Sequence, residues 1–310
     1  MVVGAQQDPA VVVGCDGSWE SMEAVDVAVE EAARRRLHLV VLTIEDEADR
    51  GVRHLGDWSR ATSESTLQAE ATGRRAVERI GSRWSHVTVV SAETVESPQV
   101  EALAARARLL VVGRHGSRGL GAFASGSTSE QLVRRLGCPV LVAGPRPAAP
   151  RISTVGTRHP VVVVGVDDEP SADVVLSIAV EAAQSRGWAL TVVYAAPRAD
   201  AELHVLAARI WDRHADLLLS QRAPDHSLAR VVVDVTQPVA ALLTHAGPQD
   251  LLVVGTEGQG RLAGLISGSV ARGVLDQMPC DVLVVPPAAV LAHRPAAHDN
   301  GASPVPAVDA

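Results

Sequence analysis

Two glycine-rich turns with the same spacing are the part of this sequence best suited to chemistry. The first reads Gly113-Arg114-His115-Gly116, then nine residues, then Gly126-Ser127; the second reads Gly255-Thr256-Glu257-Gly258, again nine residues, then Gly268-Ser269. Glycine permits tight turns and close approach of the backbone to a ligand. Each turn follows an apolar run with strand character, and its final Gly-Ser pair opens a helical pattern. The N–H groups and dipole at a helix N-terminus attract anions, and Ser127 and Ser269 each add a hydroxyl donor. The predicted chemistry is the cradling of phosphate, with a purely structural turn as the alternative.

Two aspartates extend the candidate site. Asp16 and Asp167 end the Val-rich runs Val12-Val13-Gly14-Cys15 and Val163-Val164-Gly165-Val166. A carboxylate there accepts hydrogen bonds from ribose hydroxyls or holds a metal beside phosphates, or else caps the next helix. The first loop carries Arg114, His115 and Arg118, all favourable near polyphosphate, although His115 has solvent as its alternative. In the second copy Asp168-Glu169 follows the aspartate and Glu257 enters the loop, so a phosphate is repelled unless a divalent cation bridges. Tighter phosphate binding in the first copy is therefore expected.

What positions these residues is a repeat. Val12-Val13-Gly14-Cys15-Asp16 returns as Val163-Val164-Gly165-Val166-Asp167, and Leu109-Leu110-Val111-Val112-Gly113 returns as Leu251-Leu252-Val253-Val254-Gly255. Cys138-Pro139-Val140-Leu141-Val142 pairs with Cys280-Asp281-Val282-Leu283-Val284, and Ser97-Pro98 with Gln237-Pro238. The offset falls from 151 at Asp16/Asp167 to 142 at Gly113/Gly255, so the second copy is shorter between its first and fourth strands. Domains are expected over 1–144 and 159–286, with a Pro/Ala-rich linker over 145–158 and a disordered tail over 287–310.

In the first copy, strands are read near Val11–Cys15, Leu37–Ile44, Val87–Ser91, Leu109–Gly113 and Val140–Ala143. Helices are read near Ser18–Arg36, Ala61–Arg83, Pro98–Arg106 and Ser127–Leu136. The second copy repeats the strand set near Val161–Val166, Ala189–Ala195, Arg230–Val235, Leu251–Gly255 and Val282–Val285. Strands without polar alternation are buried on both faces, which marks a parallel sheet covered by helices. The fold class is α/β, two tandem doubly wound domains. In such sheets ligands sit beyond the carboxyl ends of the strands, where the strand order switches.

Composition removes several function classes. The 310 residues contain no lysine, so a Walker lysine, a Schiff-base lysine and a lysine base are all excluded. A net charge of -8 with one Phe and one Tyr argues against nucleic acid. Apolar runs are too short for a membrane span, and Met1 to Ala10 lack the pattern of a secretory signal. Three widely spaced cysteines, Cys15, Cys138 and Cys280, form neither a disulfide framework nor a metal clip, and a cytoplasmic location is expected. No HExxH, GxSxG or acid/base pair can be placed in one pocket, so the chain is not expected to be an enzyme beyond weak ATP hydrolysis. The tryptophans are expected in packing roles, with Trp19 on a helix surface or against a neighbour.

Val-Gly-Cys-Asp-Gly-Ser near the start, the G-x2-G-x9-G-S spacing and Cys-Pro-Val-Leu-Val resemble the universal stress protein family, in both copies and up to about Val285. The resemblance implies a five-stranded sheet of order 3-2-1-4-5 in each copy, with helices on both faces. It implies ATP, alone or with Mg2+, as ligand, and a nucleotide-responsive regulatory protein of the stress response. A cyclic nucleotide is a variant of that reading, and a scaffold without nucleotide or a slow ATPase are the alternatives. Carried over by position, it implies ligand contacts from Asp16, Gly17, Ile44, Gly113, Arg114, Gly116, Ser117, Arg118, Gly126, Ser127 and Thr128. In the second copy the matching residues are Asp167, Ala195, Gly255, Gly258, Gly268, Ser269 and Val270, with the backbone at Ile44 or Ala195 meeting adenine. Pairing through the fifth strand is implied too, here as a pseudo-dimer within one chain, with or without a homodimer.

Overall fold

The computed structural model describes residues 8–44, 58–114, 127–145, 158–167, 171–195, 205–206, 209–210, 213, 229–256 and 268–289. In the first half these form β1 (Ala10–Gly14), α1 (Trp19–Arg35), β2 (His38–Ile44), α2 (Trp58–Ile80), β3 (Val87–Ala92), α3 (Pro98–Ala104), β4 (Ala107–Gly113), α4 (Thr128–Leu136) and β5 (Val140–Ala143). The second half has β6 (Val161–Val166), α5 (Ala172–Arg186), β7 (Ala189–Ala195), β8 (Ala229–Asp234), α6 (Pro238–His245), β9 (Leu251–Gly255), α7 (Ser269–Gln277) and β10 (Asp281–Val285).

Among the described residues ten strands join one sheet in the order β3-β2-β1-β4-β5-β10-β9-β6-β7-β8. Each half has the expected order 3-2-1-4-5 with parallel pairing, as in β1 with β2 and β4, or β6 with β7 and β9. The halves meet where β5 and β10 pair antiparallel, with Val142 opposite Val282 and Val140 opposite Val284. The chain thus closes its own fifth-strand pairing. Because that seam is antiparallel while each half is parallel, the carboxyl ends of the two halves point to opposite ends of the sheet.

The apolar strands account for this arrangement. Val11, Val13, Leu39, Val41, Leu109 and Val111 face one helical layer, and Val12, Val40, Leu110 and Val112 face the other. Burial on both faces is what the unbroken Val/Leu runs require. Residues 287–289, assigned by sequence to a disordered tail, are helical, and Ala289 is buried in the core. Its side chain has an apolar home in the core cluster shared by both halves, which the tail's Pro/Ala composition did not show.

The offset between copies is still 151 at Ile44 and Ala195 but 142 at Val87 and Ala229. The whole deletion therefore lies between the second and third strands, the stretch that holds the 23-residue α2 in the first half. That helix starts at Trp58, ahead of the expected Ala61.

One buried charge crosses between the halves. Glu31 of α1 is 1% exposed and is held by Arg34, Arg35 and, from α5, Arg186, itself 5% exposed. Arg186 also lies over the Trp188 ring at 5.7 Å. A carboxylate taken out of water is tolerated only when cations and hydrogen bonds replace its hydration. The repeat counterpart of Glu31 is Ala182, so this bridge exists once. Arg186→Met should cost about 2 kcal/mol, because it removes the buried cation among the three that hold Glu31 and leaves only the partly exposed Arg34 and Arg35, whereas the Glu31→Leu/Arg186→Met double variant should recover most of that loss. Urea denaturation of the wild type, Glu31→Leu, Arg186→Met and the double variant checks this, and a double variant as unstable as the sum of the singles would contradict it.

Candidate functional site

The second half shows the site's shape most fully. At the carboxyl ends of its strands a cavity of about 180 Å3 is lined by Asp167, Ala195, Gly255, Gly268, Ser269 and Val270, together with Val166, Ser171, Ala172, Val175, Val193, Pro238 and Leu242 among others. All six described residues that the sequence singled out in this half therefore converge on one space. The seventh, Gly258, lies outside the described residues. Gly268 is the N-cap of α7 and has no side chain to cap it. The sequence did not find the apolar walls supplied by Val175, Pro238 and Leu242; the Gln237-Pro238 pair was a signal, since Pro at N1 starts α6 beside the cavity.

In the first half Asp16, Gly17, Ile44, Gly113, Arg114, Ser127 and Thr128 are described, whereas Gly116, Ser117, Arg118 and Gly126 lie outside the described residues, as do His115, Asp168, Glu169 and Glu257. Asp16 does not cap α1. The cap is Ser18, whose hydroxyl accepts from the Ser21 amide at 3.2 Å. Asp16 stands one turn earlier, where Oδ1 accepts from the Ser18 amide at 3.0 Å and the Ser18 hydroxyl at 2.6 Å. Gly17 between them has φ +82°, a conformation that a side chain strains. Asp16 is thus an exposed carboxylate fixed by its own turn at the carboxyl end of β1.

Helix α4 begins at Thr128, with Ser127 as N-cap; its hydroxyl accepts from the Glu130 amide at 3.2 Å. The helix after each glycine turn is present in both halves, one residue later in the first.

Sequence reasoning missed Arg75 of α2. Its Nη2 comes within 2.7 Å of where a Cβ on Gly17 would stand, and it donates to Thr72 Oγ1 at 3.1 Å. Nothing in the spacing connects residue 75 with residue 17; only the packing of α2 beside α1 does. Cys15, just before Asp16, is buried, and burial pushes its thiol up despite hydrogen bonds at Gly17 and Ser21 that pull it down. Trp19 is 69% exposed, on the helix surface. At position 256, equivalent to Arg114, the Thr256 amide and hydroxyl both donate to the Val285 carbonyl, at 3.2 and 3.4 Å.

A family model described as the universal stress protein family matches residues 9–144 and again 160–286. A universal stress protein of Mycobacterium tuberculosis is 31% identical over 295 residues, covering 88% of this chain and 96% of the relative. The chain belongs to the universal stress protein family. A family member from Mycolicibacterium smegmatis is 28% identical over 308 residues, covering 92% of this chain and all of that protein. The crystal structure of a universal stress protein from Archaeoglobus fulgidus superposes with a TM-score of 0.59 at 18% identity, over 89% of this chain and 97% of that one, and shows the same fold. Among the described residues no helix is long and apolar enough to cross a membrane, and no group of three His, Cys, Asp or Glu could hold a metal ion.

Gly113 sets how closely α1 approaches this site. A Cβ there would stand 2.7 Å from the Glu20 carbonyl carbon and 3.0 Å from the Ser21 amide, whereas one on Gly14 would meet only side chains at 3.7 Å or more. Gly113→Ala should cost about 1–3 kcal/mol by forcing the start of α1 outward, and Gly14→Ala less than about 1 kcal/mol. Thermal denaturation of both variants checks the contrast; equal losses would contradict it.

Proposed function

We propose that the chain is a nucleotide-responsive regulatory protein of the stress response. It binds ATP, most tightly in its first half, and acts through an interaction rather than through turnover. The observation that carries this reading is the convergence of residues chosen from sequence on a single space at the carboxyl ends of the second-half strands. In the first half Arg75 stands beside the Gly17 turn and Arg114 follows the last residue of β4.

The parts suit the ligand. An apolar wall takes the base, a carboxylate at the end of the first strand takes ribose hydroxyls, and free amides at a helix start take phosphate. Arg75 and Arg114 add the positive charge that a polyphosphate needs in the first half. Mg2+ would accompany the phosphates, and Asp16 is the residue that would offer it a carboxylate oxygen and offset part of the phosphate charge. In this reading the Asp16 turn orients and binds the ligand, and the output is an interaction. The compartment in this reading is the cytoplasm, where three unpaired thiols stay reduced.

Calorimetric titration of ATP with Mg2+ into the full chain, stripped of ligand by unfolding and refolding, tests the reading. A saturable site that is lost in Gly116→Arg is expected. No heat and no thermal shift with ATP, ADP, AMP or cAMP would replace this reading with a scaffold that keeps the fold alone.

A further inference from the structure

We infer that the second half is built to pair with a first half and to reject a second copy of itself, so that the seam selects its own partner.

The strands alone do not make this choice. Leu141 and Leu283 are repeat counterparts and stand opposite one another, with Val142 facing Val282 and Val140 facing Val284. The pairing is therefore two-fold symmetric about the two leucines, and β5 or β10 could meet a copy of itself in the same register. Such a self-pair would set each residue against the counterpart of its present partner. The offset between copies is 151 through α1 and α5 and 142 around β5 and β10, which identifies those counterparts.

Three features of the seam, all among the described residues, break the symmetry in one direction. The buried Arg186 of α5 meets Glu31, whose counterpart is Ala182. In a pair of second halves Arg186 would find a methyl group where that carboxylate now stands, and a buried charge that loses its counter-charge is costly. Gly144 lies so close to β10 that a Cβ on it would overlap the Cys280 carbonyl and stand 2.8 Å from the Asp281 amide nitrogen. Its counterpart is Pro286, so a pair of second halves would push a proline ring into that space. The Gly144 amide also donates to Asp281 at 2.8 Å, and a proline has no N–H to replace it.

A pair of first halves escapes most of this. Glu31 would face Arg35, the counterpart of Arg186, and Gly144 would keep its close fit. It would lose one acceptor, because the counterpart of Asp281 is Pro139. The penalties thus fall on the second half paired with itself, and a stranded charge together with a steric overlap is how a surface discriminates against a wrong partner.

The test is oxidative cross-linking of the full chain. Leu283→Cys places a thiol that meets its own copy only when two second halves pair, and Leu141→Cys does the same for two first halves. Directly opposed residues of an antiparallel pair lie within reach of a disulfide. Each chain is refolded from urea under reducing conditions at rising concentration and then oxidised, with the unsubstituted chain giving the background from Cys15, Cys138 and Cys280. The Leu141→Cys/Leu283→Cys chain should close an intrachain bond, which shows that both positions accept the substitution. Covalent dimer through Leu283→Cys should stay at least about tenfold below that through Leu141→Cys. Adding Ala182→Glu and Pro286→Gly, which give the second half the first-half residues at two of these positions, should raise the Leu283→Cys dimer by about tenfold. Equal yields from the two reporters, or a Leu283→Cys dimer that the added substitutions leave unchanged, would overturn the inference.

Discussion

The structure depends on the pairing of β5 with β10. Each half alone would present an apolar strand, Val140–Ala143 or Asp281–Val285, with one edge unpaired, and an exposed apolar edge is an invitation to associate. Tandem duplication turns that liability into the join between the halves. Beside the strands, the Gly144 amide donates to Asp281 at 2.8 Å, and Glu31 reaches Arg186 across the helical layer. The direction of the seam then decides where function can lie. Two ligand ends at opposite ends of one sheet cannot share a single pocket, so the two sites are free to differ in chemistry.

Much of this architecture was legible because the signals are physical and repeated. Unbroken Val/Leu runs can only be strands covered on both faces, and paired runs at a drifting offset showed the duplication. The order of strands followed from the resemblance carried by the glycine spacing and the Asp16 and Asp167 turns. What was illegible depended on contacts between distant segments. Glu31 looks in the sequence like any exposed helix carboxylate, and only the approach of α5 makes it a buried charge. Arg75 could be placed beside Gly17 only once α2 was packed along α1. Asp16 read as a possible helix cap because Asp and Ser both favour that role; the structure gives the cap to Ser18 and leaves Asp16 to hold the turn.

The described residues around the two sites differ: in the first half Arg75 stands beside Gly17 and Arg114 follows β4, while the second-half cavity is lined by Asp167 among Gly, Ala, Val, Leu, Pro and Ser. The shared core, continuous through α1, α5 and the seam, gives both sites one rigid frame.

The most direct test of the central claim, that ligand is held at the carboxyl ends of the strands by these turns, is amide hydrogen exchange with and without ATP·Mg2+. The account predicts slowed exchange at Gly17–Ser21 and at the start of α4, with the β5–β10 seam unchanged. Protection spread evenly over the sheet, or absent from both turns while ATP is demonstrably bound, would contradict it.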